Sequence, residues 1–99
     1  VLFDVPGSGT ELARGAGAGD QAALPEGAVH ARNDAGGHAY VGSFPPAGHG
    51  PHRYVFAVHA LGVEELGPDE SASPAYVGFN IWGNVVGRGL LVATYEVPA

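Results

Sequence analysis

The sequence predicts an all-β protein with a single helix near its C-terminal end. Three observations carry that expectation. Seventeen glycines and eight prolines in 99 residues, with no Gly-X-Y period, favour many turns and short strands. The strongest periodic signal, "YVFAVHAL" at 54–61, is apolar on both alternating faces, the pattern of a strand covered above and below. Only one segment has helical spacing, too little for a parallel α/β winding.

The elements follow in order. "VLFDVP" at 1–6 is a strand-like apolar run closed by Pro6-Gly7. Residues 7–27, "GSGTELARGAGAGDQAALPEG", are polar and glycine-rich with at best a helical turn around Thr10–Arg14; they read as a long surface loop or a free linker. "AVHARND" at 28–34 makes a short strand ended by Asn33, Asp34, Gly36 and Gly37, and "HAYVGSF" at 38–44 makes another that runs into Pro45-Pro46. The 40–61 stretch then combines a Gly/Pro loop with the central strand. In that strand Tyr54, Phe56, Val58 and Ala60 share one face and Val55, Ala57, His59 and Leu61 the other. "GVEELGPDESASPA" is acidic, turn-rich and expected at the surface. Ser73-Pro74 is a helix start, serine capping and proline in the first turn. Tyr76, Phe79, Trp82, Val86 and Leu90 recur on one helical face, which predicts a helix over 74–89. Gly78, Gly83, Gly87 and Gly89 weaken it by up to about 1 kcal/mol each relative to alanine. A final strand is expected over 90–97.

Composition narrows the function classes. The chain is a single small domain at most, with formal net charge −6 and only four scattered basic residues, Arg14, Arg32, Arg53 and Arg88. No basic patch exists for nucleic acid or for anionic membrane surfaces. Cysteine is absent, so disulfides and thiolate metal sites are excluded. No apolar run approaches the ~18–20 residues of a membrane span. No signal-peptide pattern opens the chain, and a soluble, cytoplasmic protein is the expectation.

The stretch "PPAGHGPHRYVFAVHAL" at 45–61 holds the candidate chemistry. It could be a ligand site, a metal site or a tight corner. His49 and His52 are three apart and His38 precedes the loop, but no thiolate or HExxH pattern completes a metal set, so no metal is expected. His38 and His49 read as exposed turn residues, and His59 as a core histidine. No GxSxG elbow or nucleophile–base pair is present, so no enzyme is expected. Glycines 42, 48 and 50 permit a concave nest of inward N–H groups, Pro45-Pro46 would hold it open, and His52 at the strand mouth can donate to an oxyanion.

The run Tyr40, Gly42, Pro45, Pro46, Gly48, His52, Arg53, Tyr54 and Phe56 resembles the second signature of the phosphatidylethanolamine-binding proteins, also called Raf kinase inhibitor-like proteins. The "ND" at 33–34, "SPAYVGFN" at 73–80 and the closing "TYE" resemble the bacterial and archaeal branch. The resemblance covers nearly the whole chain and implies a Greek-key β-sandwich with a C-terminal helix. It also implies more than is here. Family members run to about one and a half to two times this length, and their D-P-D-x-P signature and upstream His-Trp pair have no counterpart. The expectation is therefore a C-terminal portion of one domain, completed by an N-terminal segment, as a separate chain, covering the Val1–Val5 edge and the strand 54–61.

By the same resemblance, Gly42, Ser43, Phe44, Pro45, Pro46, His52 and Tyr54 contribute to a ligand pocket. Phe44 stands where many members carry a small residue. Arg53 is expected to form a structural salt bridge with an aspartate of the absent signature. The function this implies is non-catalytic binding of small phosphate- or carboxylate-bearing ligands, without a cofactor. Histidine titrates near ~6.5 unperturbed, so affinity should rise as pH falls. The alternative is a regulatory inhibitor of a serine protease or protein kinase acting through surface loops such as the acidic stretch 64–70. Bacterial relatives suggest a possible homodimer.

Overall fold

The computed structural model describes all residues 1–99. Two antiparallel strand pairs and one helix make up its regular structure. Strand β1 (Leu2–Phe3) pairs with β2 (Val29–His30), and β3 (His52–Leu61) pairs with β4 (Val85–Tyr95). Helix α1 (Pro74–Trp82) lies between β3 and β4 in sequence, and a single 3-10 turn at Gln21–Ala23 interrupts the 7–27 loop.

The segment 38–44 was expected to form a strand and does not. It runs from Gly37 to Pro45 without ladder partners, tied down instead by the Tyr40 amide donating to the Gly17 carbonyl. The helical turn expected at Thr10–Arg14 is also absent; turns occupy 14–17 and the 3-10 element follows at 21–23, where Asp20 caps by accepting from the Ala22 amide.

Ser73 caps α1, its hydroxyl accepting from the Tyr76 amide, with Pro74 opening the first turn. The helix is shorter than the 74–89 span expected. It stops at Gly83, and the chain enters β4 at Val85 rather than residue 90. The reason is the glycine cluster at 83, 87 and 89, which removes helical support where β-branched Val85 and Val86 favour extended backbone. The apolar recurrence through Val86 and Leu90 belongs to a strand. One consequence concerns the helix face. Val77 is fully buried and Ile81 partly so, whereas Phe79 and Trp82, on the face expected to pack, are 75% and 85% exposed.

The core is small. Phe3, Ala31, Leu66, Ala72 and Val77 form its buried cluster, with Val29, Leu61 and Ile81 packed against it. Asp4 helps assemble it: in a left-handed conformation (φ 56°), its Oδ1 accepts from the Leu66 amide at 2.8 Å. Aspartate tolerates that backbone region better than most side chains.

Cross-strand pairing divides β3–β4 into two faces. His52, Tyr54, Phe56 and Val58 lie with Tyr95, Ala93, Leu91 and Gly89; Arg53, Val55, Ala57 and His59 lie with Thr94, Val92, Leu90 and Arg88. Both faces are apolar, as the sequence predicts, yet both are largely open: every β4 residue is exposed. The outer edges of both strands are unpaired. The accessible area is 7206 Å², against about 5,200 Å² for a compact monomer of this mass. The radius of gyration, 14.6 Å, exceeds the ~13 Å of a 100-residue domain. The accessible area thus exceeds that of a compact monomer by roughly 2,000 Å².

Candidate functional site

The candidate loop follows Tyr40, which meets the first of these faces. Tyr40 rests on Phe56, ring centroids 6.1 Å apart. Pro45 is buried and anchors the loop, Ser43 is half-buried, and Gly42 and Pro46 are exposed. Phe44 projects into solvent, 91% exposed, so its ring does not fill the space beside the loop.

The backbone between Tyr40 and His52 is set by three glycines. Gly42, Gly48 and Gly50 have φ of 82°, 74° and 78°, values that L-residues with a Cβ rarely adopt. Gly48 donates to the Val97 carbonyl at 2.8 Å and His49 to the Pro46 carbonyl at 3.2 Å, closing the Pro46–His49 turn and tying it to the segment after β4. The amides of Gly42, Ser43 and Phe44, by contrast, have no partner within the chain. Three successive donors are thus free at the positions where a nest was expected.

His52 opens β3, half-buried and opposite Tyr95 in the ladder. Tyr54, two residues on and half-buried, shares its face. His52 Nε2 lies 2.9 Å from Nδ1 of His49 in a direct hydrogen bond. The spacing of three between His49 and His52 across Gly50-Pro51 is visible in the sequence, but the reading of His49 as an exposed turn residue does not anticipate this bond. Arg53 is exposed on the opposite face. His38 is separate from the pair, its Nδ1 3.1 Å from the His30 carbonyl.

His59, expected in the core, is half-buried. It lines a hollow of about 520 Å³ with Gly78, Ile81, Trp82 and Val86. A second hollow, about 2040 Å³, opens between the 1–18 segment and β3, bordered by Phe3, Leu12, Val55 and Val58 among others. It exceeds the ~300–1,000 Å³ of a small-molecule site. Neither hollow is lined by Gly42–Pro46, His52 or Tyr54, so the pocket expected there is not formed by this chain and the candidate site lies on open surface.

The class defined by these features is an antiparallel β scaffold with one packed helix and a Gly/Pro loop at the mouth of its long strand. Residues 1–96 match the family model described as phosphatidylethanolamine-binding protein, and the chain belongs to that family. It is 43% identical over 96 residues to the UPF0098 protein YbhB of Escherichia coli K12, and 37% identical over 97 residues to YbcL of the same organism. These alignments cover 97% and 98% of this chain but 60% and 53% of the relatives. The crystal structure of Escherichia coli YbcL, described as a new member of the mammalian PEBP family, superposes with a TM-score of 0.92 at 36% identity. It covers 97% of this chain and 58% of that one. The chain thus spans little more than half the length of the relatives it matches. No helix is long and apolar enough to cross a membrane.

Proposed function

We propose that the protein binds small oxyanions, phosphate- or carboxylate-bearing, at Gly42–Pro46, His52 and Tyr54, without catalysing a reaction on them. The observation that carries this reading is the run of three unpartnered amides at Gly42, Ser43 and Phe44, next to the buried Pro45. Successive free N–H groups and the N–H of an imidazole supply donors, the complement of a carboxylate or phosphate. The exposed Phe44 ring leaves the approach clear.

The same reading includes a partner. The open edges and both apolar faces of β3–β4 are covered by strands of an N-terminal segment of the domain. The 2040 Å³ hollow against β3 is of a size for polypeptide rather than for a small guest. Pairing of two copies of this chain is the competing cover, and sedimentation with and without the N-terminal segment separates the two.

Calorimetric titration with inorganic phosphate at pH 5.5 and pH 8 tests the binding reading. Tighter binding at pH 5.5, lost in His52→Ala, is expected. Equal affinity at both values, or an unaffected His52→Ala, contradicts it. The inhibitor reading draws on the exposed carboxylates Glu64, Glu65, Asp69 and Glu70. It predicts that charge reversal there abolishes inhibition of a serine protease or kinase while His52→Ala does not.

A further inference from the structure

The bond between His49 and His52 has a chemical consequence for the site proposed above, on which this inference rests. A hydrogen bond between Nδ1 of one imidazole and Nε2 of the other, at 2.9 Å, needs one nitrogen protonated and one with its lone pair free. At least one ring is therefore neutral while the bond stands. The ring centroids are 5.1 Å apart and the planes inclined by 39°, so the rings neither stack nor separate. In this arrangement His52 Nε2 is engaged by its neighbour and is not free to meet a ligand.

We propose that His49 is a second anion-binding side chain, and that the two imidazoles act as a proton-gated pair. A first proton, taken by the lone pair outside the bond, strengthens it; a second, taken by the lone pair inside it, breaks the His–His bond and leaves two N–H groups at adjacent points. The two cations repel each other, and an oxyanion bridging them relieves the repulsion. Nitrogens this close suit two oxygens on one central atom, so the preferred guest is a phosphate, sulfate or carboxylate group that binds through a pair of oxygens. The protein binds such a guest together with up to two protons.

The surroundings allow this. His52 faces Tyr95 across the ladder, and Tyr54 follows on the same face. Arg53 lies on the opposite face, where its charge adds to the repulsion only at a distance. Glu96 follows Tyr95 in the segment whose Val97 carbonyl accepts from Gly48. Neither imidazole is hydrogen-bonded to a carboxylate; each has the other as its side-chain partner.

Inorganic sulfate is the suitable probe, because unlike phosphate it does not titrate between pH 5 and 8. Binding to the 99-residue chain is followed by calorimetry across that range, in buffers of differing ionisation enthalpy. Affinity should rise by up to about tenfold per pH unit for each linked proton, with net proton uptake in the wild type. His49→Ala should lower affinity about tenfold at pH 5.5 and flatten the pH slope. His49→Gln, which keeps a donor but cannot titrate, should recover part of the affinity and none of the slope. If His49→Ala binds sulfate like the wild type while His52→Ala does not, the pair is refuted and the single-histidine site stands. If sulfate binding is absent, or indifferent to both histidines, the binding reading fails and this inference with it.

Discussion

Val77 and Val58 carry the same side chain in opposite settings, and truncating each to alanine measures how the chain is held together. Val77 is fully buried against the cluster of Phe3, Ala31, Leu66 and Ala72. Removing its two methyl groups forfeits about 1.6 kcal/mol of transfer free energy at ~0.8 per carbon. The cavity left between helix and loop raises the total to about 2–3 kcal/mol. For a domain of this size that lowers Tm by roughly 10–20 °C. Val58 is 74% exposed on β3, so Val58→Ala should change the isolated chain by less than about 0.5 kcal/mol. Once an N-terminal segment covers β3, the same truncation should cost about 1–2 kcal/mol. Thermal unfolding by circular dichroism, with and without that segment, reads both numbers. If Val58→Ala destabilised a chain that sediments as a monomer as much as Val77→Ala does, the open-face reasoning would be refuted.

Three further outcomes are expected. Ser73→Ala removes the α1 cap that accepts from the Tyr76 amide and should cost about 1 kcal/mol, with Ser73→Asp restoring it in thermal melts. Asp69 is held below the usual carboxylate range by hydrogen bonds from the Ser71 hydroxyl and then the Ser71 amide. The small stabilisation of that turn is present above the unfolded carboxylate pKa and is lost as pH falls through the lowered folded value; NMR titration of Ser71→Ala should show the Asp69 pKa moving back up. Arg53→Ala should leave the isolated chain, where Arg53 is exposed, unchanged in melts. In a domain completed by an acidic partner it should cost about 3–5 kcal/mol; no loss there would remove the proposed salt bridge.

The elements legible in advance were those with strong local signals. The eight-residue apolar run became β3, extended by two residues to include His52 and Arg53. Ser73-Pro74 marked the helix start to the residue. The helix end was misplaced because Val86 and Leu90 continue a spacing of three and four that a strand also accommodates, and the glycines decided the matter. The outward aromatic face of α1 was not legible, since periodicity identifies an apolar stripe without saying what covers it. The strand expected at 38–44 failed because no ladder partner reaches it. In the candidate site, positive φ at Gly42, Gly48 and Gly50 agrees with the turn-forming reading of those glycines. The His49–His52 bond needed coordinates, because two histidines three residues apart can equally diverge.

The most direct measurement is a ¹⁵N-resolved NMR titration with inorganic phosphate at pH 5.5, following the backbone amides of Gly42, Ser43 and Phe44 together with the His52 ring. An oxyanion site built from the loop amides and His52 gives concerted, saturable shifts of all three amides and that imidazole, at one common affinity. Shifts confined to other regions, or an imidazole that responds while the three amides stay still, would contradict it.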